Sequence, residues 1–484
     1  MTQFRQAILS VLGAMVPALL CTACQLQLVE SVKPSVPGGW SDPIPPQAEV
    51  WPATDWWRGF ASPELDQLIT TARIGNYDIT AAAARVLQAE AQARIAGVAL
   101  LPSVDLGASA MRTGDTGGKN NTINNFGISL GASYELDFWG KNRANLSAAR
   151  ESLKASTYDR ETVALTITSA VATTYFQVLS LRERIAIAHL NLTNALELLK
   201  VVESRVQNGA VSPLDRARQN AEVARQRATI APLEQEERSA RFTLATLLGR
   251  PPQGFDLAAN NLELISFPPV APGLPSELLM RRPDIASAEA QLFAANADIT
   301  AARAAFFPSI QLTGSGGLQS TSLAALFSNG LIYNLAVSLT RPIFDAGLLV
   351  ANEDLASARQ NELVQRYQAT IINAFADVDT ALGAIRSTTE QQSYLLEELG
   401  QAQIAYQLAE SRYKEGAEDL TTVLDAQRTL YQSQDLNSQV RFTRLQSLIS
   451  LYRSLGGGWK ADNSGNSVSQ LQSGPGSEKQ IYEF

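Results

Sequence analysis

Phe126-Gly127-Ile128-Ser129-Leu130-Gly131-Ala132-Ser133-Tyr134-Glu135-Leu136-Asp137-Phe138 is the run that decides the fold. Every second residue from Phe126 is apolar, and Gly, Ser, Glu and Asp stand between them. Strict alternation marks a strand with one oily and one wet face. Val104, Leu106, Ala108 and Ala110 alternate likewise. So do Ile310 and Leu312 with Gln311 and Thr313, and Tyr333, Leu335, Val337 and Leu339 with Asn334, Ser338 and Thr340. Strands of roughly 9–13 residues cross a bilayer when tilted. Ser129, Ser133, Glu135 and Asp137 then face a water-filled lumen. Phe138 and Trp139 at the strand end suit an interfacial aromatic girdle. The linkers 113–125 and 320–330 are polar or rich in Gly and Ser, as surface loops of such barrels are.

Outward from this strand the chain repeats itself. The segment from Asp78-Ile79-Thr80 to Leu101-Pro102-Ser103 matches that from Asp284-Ile285-Ala286 to Phe307-Pro308-Ser309, at an offset of 206 (284 − 78). Ser204-Arg205 and Gly209-Ala210 match Ser411-Arg412 and Gly416-Ala417 at 207 (411 − 204). Leu214-Asp215 and Arg218 match Leu424-Asp425 and Arg428 at 210 (425 − 215), and Leu248-Gly249 matches Leu455-Gly456 at 207 (456 − 249). Shared helical composition would not keep Pro, Gly and Asp in register.

Very long helices flank the strands. No proline occurs between Ser103 and Ser212, or between Ile343 and Gly474. Val178, Leu181, Ile185, Ala188, Leu192, Ala195, Leu199, Val202 and Val206 step by three and four without a break, and Val378, Ala381, Ile385, Leu395, Leu399, Ala402, Tyr406, Ala409 and Tyr413 answer in the second half. Such a sustained repeat means coiled-coil packing. A continuous helix over 143–207 reaches roughly 100 Å at 1.5 Å per residue.

Bulk chemistry narrows the classes further. Lys and Arg number 39 against 47 Asp and Glu, a net charge of −8, which argues against nucleic-acid binding. No long apolar run follows the N-terminus, so the sequence predicts no helical membrane span, a test that β-barrels escape. Arg5 and the apolar run Ala7–Leu20, ending at Cys21-Thr22-Ala23-Cys24, read as a signal peptide over 1–23 with Cys24 as the lipidated first mature residue. No cysteine follows Cys24, which removes disulfide scaffolds and Cys-based metal sites. His189, the one histidine, falls beside the Ala188 seam position as an ordinary helix residue, and Gly314, Gly316 and Gly317 lie in a strand rather than in a phosphate-binding turn. Catalysis, metal and cofactor find no material.

The organisation is a signal peptide (1–23) and an extended, lipid-anchored arm (24–60). A first repeat (61–250) holds a hairpin at 102–138 and a helical tip near 205–215. A linker (251–275) leads to a second repeat (276–460) with a hairpin at 308–343 and a tip near 412–425, then a Ser/Gly/Asn-rich tail (461–484) of disordered composition. Four strands cannot close a barrel, and an open edge in lipid leaves unpaired backbone groups costing several kcal/mol each. Copies must therefore share the barrel, and two, three or four copies all satisfy that requirement.

The motifs Asp55-Trp56-Trp57-Arg58 with Leu65-Asp66, Tyr134-Glu135-Leu136-Asp137-Phe138-Trp139-Gly140, Leu279-Met280-Arg281-Arg282-Pro283-Asp284, Arg341-Pro342-Ile343-Phe344-Asp345-Ala346-Gly347, Leu424-Asp425-Ala426-Gln427-Arg428 and Leu455-Gly456-Gly457-Gly458-Trp459 carry a resemblance. The chain resembles the TolC-like outer-membrane factors, most closely the lipoprotein (OprM/NodT-type) branch of efflux-pump exit ducts. The resemblance implies a mixed α and β fold: an all-helical periplasmic α-barrel plus an antiparallel transmembrane β-barrel shared by a homotrimer, four strands from each protomer. It also implies helices interrupted near a mid-tunnel belt, so a kink is expected at Pro232 in the first return helix. The expected partners are a periplasmic adaptor (membrane-fusion) protein, an inner-membrane pump of the RND type and outer-membrane lipid, with no nucleic acid. The expected role is a passive exit duct for small molecules such as drugs. An export duct for a secreted protein and a pore-less coiled-coil scaffold are the alternatives.

In the family the two tips close the periplasmic entrance like an iris. Asp425 matches a position that forms an acidic ring, and three carboxylates around a narrow axis repel one another and gather cations. Thr421 and Thr422 match a second constriction, neutral in this chain. Arg412, Tyr413 and Asp215 match links that hold neighbouring hairpins shut, and Glu418 replaces an arginine of some relatives. Gly209-Ala210 and Gly416-Ala417 match the turns that meet the adaptor. Helix capping by Ser212 and Asp419 explains the tip sequences equally simply.

Overall fold

The computed structural model describes residues 36–41, 51–114, 122–269, 271–328 and 330–460. The expected signal peptide, Cys24, parts of the arm and the tail 461–484 lie outside the described residues.

Each half runs helix, hairpin, long helix, tip, return helix. The first half holds α1 (Pro63–Gly75), α2 (Tyr77–Val98), β1 (Ser103–Gly114), β2 (Thr122–Leu136), α3 (Lys141–Gln207) and α4 (Pro213–Leu247). A one-turn helix at Pro275–Leu278 leads into the second, with α5 (Pro283–Ala304), β3 (Ser309–Ser320), β4 (Ile332–Thr340), α6 (Leu348–Glu415) and α7 (Leu420–Ser454). With 67 and 68 residues, α3 and α6 reach roughly 100 Å at 1.5 Å per residue.

The strands form where the alternation predicts and pair as one antiparallel sheet in the order β1-β2-β3-β4. Leu106 faces Leu130, Ile128 faces Leu318 and Leu312 faces Val337, so one face of the sheet is apolar across all four strands. Ser133 lies between Ser103 and Thr313, and Glu135 faces Gln311, so the other face is polar. A Cβ on Gly317 would sit 2.3 Å from the Ile128 carbonyl oxygen, so this strand glycine serves close backbone approach. β1 and β4 are the two edges, and neither pairs further among the described residues.

Three apolar clusters stack along the helices. The largest gathers Trp56, Phe60, Ile69, Val171, Phe176, Leu244 and Tyr452, with Trp56 stacked on Tyr452 at 4.9 Å. A second joins Leu278 and Ile285 to Val378 and Leu455, and a third holds the tips through Leu198, Val202, Tyr406, Tyr413 and Val423. Part of α3 is apolar enough, by length and composition, to cross a membrane, which the sequence reading did not anticipate, but 56% of that part is buried inside the chain. It is core. His189 is exposed on α3, where the Thr193 hydroxyl donates to its carbonyl.

The two halves close with the same backbone device. Asn76 donates from Nδ2 to the Leu247 carbonyl at 2.8 Å, and Arg282, 206 residues on, donates from Nη1 to the Ser454 carbonyl at 3.2 Å. Gly249 and Gly456 both take positive φ (+69° and +83°). A Cβ there would lie 2.1 Å from the Gly75 oxygen and 1.8 Å from the Arg281 oxygen. Return helix and entering helix pack too tightly for any side chain.

α4 runs through Pro232 as one helix from Pro213 to Leu247. Proline withdraws only the donor to the Ala228 carbonyl, and Ala228 and Pro232 both line an open hollow of about 620 Å³ rather than packed core. One expectation needs correction: the Asp215–Asp425 correspondence at offset 210 is not the structural one. Tip glycines Gly209 and Gly416, and helix starts Pro213 and Leu420, lie 207 apart, so Asp425 sits nearly one turn deeper in its helix than Asp215.

Candidate functional site

Both tips end their long helix with one turn design. Gly209 donates to the Val206 carbonyl at 3.0 Å and Ala210 to that of Arg205 at 2.8 Å. Gly416 donates to Tyr413 at 3.0 Å and Ala417 to Arg412 at 2.9 Å. The glycines sit at φ +72° and +81°, the left-handed position that ends a helix and satisfies its last carbonyls. Gly209, Ala210, Gly416 and Ala417 are all exposed.

The return helices begin differently. In the first tip Pro213 opens α4 and the Asp215 carboxylate accepts from the Ser212 backbone N–H at 3.1 Å. Asp215 is thus engaged by its own helix start. In the second tip Asp419 is the cap, accepting from the Thr422 N–H at 2.9 Å and its hydroxyl at 3.1 Å. Those two bonds hold the Asp419 carboxyl below the usual carboxylate range. Asp425 is exposed, with Arg428 of the same helix at 3.5 Å as its ion partner. Of the tip aspartates Asp215, Asp419 and Asp425, Asp425 is the one whose carboxylate is not taken up by a cap.

Contacts between the hairpins come from residues that motif reading passed over. Arg205, in the last turn of α3, donates to the Lys414 carbonyl at 2.9 Å and lies 4.5 Å over the Tyr413 ring. Arg218 of α4 donates to the Thr421 hydroxyl at 3.1 Å. Arg412 stays on its own tip, exposed, 3.9 Å from Glu418. Tyr413 is buried beneath Arg205, and burial pushes its hydroxyl's pKa up. Thr422 turns its hydroxyl to Glu418 and Asp419. The structure therefore brings Tyr413 and Thr421 to the first hairpin and leaves Arg412, Asp215 and Thr422 within their own. Pairing charges in the sequence could not find these links, because across the hairpins Arg205 and Arg218 bind a carbonyl, a ring and a hydroxyl.

At the other end of α3, Ser129, Ser133 and Glu135 lie on the polar face of the sheet. The Ser133 hydroxyl accepts from Gln311 at 2.9 Å, and Glu135 pairs with Lys141 at 2.7 Å. Asp137 lies just past the end of β2 and accepts from the backbone N–H of Asn142 (3.0 Å) and Arg143 (2.9 Å). It fastens strand to helix. Asp345 does the same for α6 through Gly347 and Leu349, each at 3.0 Å. Trp139 stacks on Phe307 at 4.7 Å. Among the described residues no group of three or more His, Cys, Asp and Glu is arranged to hold a metal ion.

Residues 68–250 and 274–457 match the family described as outer membrane efflux protein. The chain belongs to this family. It is similar to the pyoverdine export outer membrane protein OpmQ of Pseudomonas putida, 44% identical over 92% of this chain and 97% of OpmQ. It is also similar to the cation efflux system protein CusC of Escherichia coli K12, 33% identical over 85% of this chain and 90% of CusC. The open-state MtrE outer membrane channel of Neisseria gonorrhoeae superposes with a TM-score of 0.82 at 33% identity, covering 89% of this chain and 98% of MtrE. As a member of the outer membrane efflux family the chain is an efflux duct of the outer membrane, with a mixed α and β fold. The family is one of channels rather than an enzyme class. In that setting the apolar sheet face is the lipid-facing one, and the long helices extend the duct into the periplasm.

Proposed function

We propose that three copies of this chain assemble into a 12-stranded barrel continuous with a helical tunnel, the exit duct of a tripartite pump. The observation that carries the reading is the sheet itself: apolar across one face in register, polar across the other, and unpaired at both edges among the described residues. A barrel has no edges in lipid, so β1 of one copy pairs with β4 of the next. Cys24 carries the lipid anchor. The turns Gly209-Ala210 and Gly416-Ala417 are the surfaces that an adaptor protein meets, and an RND-type inner-membrane pump supplies the energy. Asp425 lines the narrowest ring, with Thr421 and Thr422 one turn nearer the periplasm.

The cargo is a small organic molecule of the siderophore class. The support is the 44% identity to a pyoverdine exporter over nearly the whole chain, against 33% to a cation efflux protein. The wet barrel face, with Ser129, Ser133, Glu135 and Gln311, suits a hydrated polar cargo. Deleting the gene tests this: siderophore should accumulate in the periplasm, and the intact gene should restore export. Unchanged siderophore export together with lost metal tolerance would move the cargo to cations.

A further inference from the structure

Near the middle of α4, a hollow of about 620 Å³ opens between α3, α4 and α7, within the ~300–1,000 Å³ of small-ligand sites. α3 lines it with Ile187, Ala188 and Asn191, and α7 with Tyr431 and Asp435. Ala228, Pro232 and Glu236 fall four residues apart on one face of α4 and line it together. Pro232 has no N–H, so the Ala228 carbonyl lacks its helical donor. Asn191 is 3% exposed, and its Oδ1 has no partner among the described residues. The Tyr431 ring is held in place, its hydroxyl donating to the Asn191 carbonyl at 3.0 Å and accepting from Gln427 at 2.8 Å. The second half does not repeat this design: 207 residues on, Gln439 and Thr443 stand where Pro232 and Glu236 do (439 − 232, 443 − 236).

The charges around the hollow select the sign of an occupant. Three arginines line it, and each is already engaged: Arg184 by Asp435 at 2.6 and 3.2 Å, Arg225 by Glu222, and Arg428 by Asp425 at 3.5 Å. Glu236 is the lining carboxylate with no ion partner among the described residues. An anion must displace a carboxylate to reach an arginine, whereas a cation finds a carboxylate free. One free carboxylate amid apolar side chains is a poor metal site, and no group of three or more metal ligands occurs among the described residues. We propose that this hollow binds an organic ammonium ion. Its head group lies between the Glu236 carboxylate and the Ala228 carbonyl, and its apolar body packs on Ile187, Ala188, Leu233 and the Tyr431 ring. The site does not depend on what the duct carries or on how its ends close.

Isothermal titration of the assembled full chain in nanodiscs, with the heat from empty nanodiscs subtracted, tests the assignment. The probes are naphthylmethylammonium, the neutral naphthylmethanol and the anionic naphthylacetate, which share a ring and differ in charge. The ammonium should bind saturably, one per chain and about tenfold tighter than the alcohol, and the carboxylate should not bind. Glu236→Gln should weaken the ammonium about tenfold and leave the alcohol unchanged. Ala228→Trp, which fills the hollow from an exposed helix position, should abolish binding of both. Heat-resistant oligomer on a gel confirms assembly, and if a variant does not assemble, the three probes on the parent protein decide. Equal binding of ammonium and carboxylate overturns the charge assignment. Parental ammonium affinity in either variant places the binding elsewhere and overturns the site. Heat no greater than that of empty nanodiscs leaves the hollow to water and overturns it as well.

Discussion

The two halves of the chain solve one backbone problem with different chemistry. Where the return helix meets the entering helix, the first half uses neutral Asn76 and the second uses Arg282, which is 11% exposed and paired with Asp284 (2.6 Å) and Asp377 (3.1 Å). At the tips the first half caps with Ser212, Pro213 and Asp215, the second with Asp419 alone. Glycines at Gly249 and Gly456, and at Gly209 and Gly416, are kept because only the backbone geometry matters there. The lesson is that duplication preserves the path of the chain, while functional distinctions accumulate in the side chains laid on it.

The junctions give the sharpest break of that comparison. Arg282→Ala should cost about 3 kcal/mol, the low end for removing one partner of a buried ion pair, because Asp284 and Asp377 keep access to water. Asn76→Ala should cost about 1–2 kcal/mol, the range for a lost helix cap. Thermal dissociation of the oligomer in detergent reads both, and an equal fall for the two variants would show that the halves are not chemically distinct at this point.

The tips give a smaller effect. Asp419 has its carboxyl held low in the folded chain by Thr422, so its cap contributes above the unfolded carboxylate value and is lost as pH falls through the lowered one. Amide exchange at Thr421 and Thr422 should therefore quicken below about pH 4, the unfolded carboxylate range. Asp419→Asn, which keeps a capping acceptor, should remove that dependence. A parental pH response in Asp419→Asn would assign the change to another group.

The strands were legible because a sheet between oil and water writes its two faces into every second residue, as in Phe126–Leu136. The long helices were legible from the seam through Val178, Ala188, Ala195 and Val202, all buried. The seam then drifts, so that Leu198 is buried and Leu199 only half so, as expected when a 3.6-residue helix meets a 3.5-residue repeat. Asp137 was read as a wall residue, and its bonds to Asn142 and Arg143 were not foreseen, because a carboxylate that caps a helix across a turn looks in sequence like the next polar position of the strand. Asp215 and Asp425 looked equivalent because the Leu-Asp dipeptide and the arginine three residues on repeat, while the helices beneath align three residues away. Arg205 and Arg218 stand out in sequence only as repeat positions, because the groups that join them to the second hairpin, a carbonyl and a hydroxyl, carry no charge to match.

Counting chains is the most direct test. Native mass spectrometry of the detergent-extracted channel, paired with bilayer recording of the same sample, should show three copies per conducting particle. Conduction from a single copy would mean that four strands close in lipid unaided, and would contradict the account.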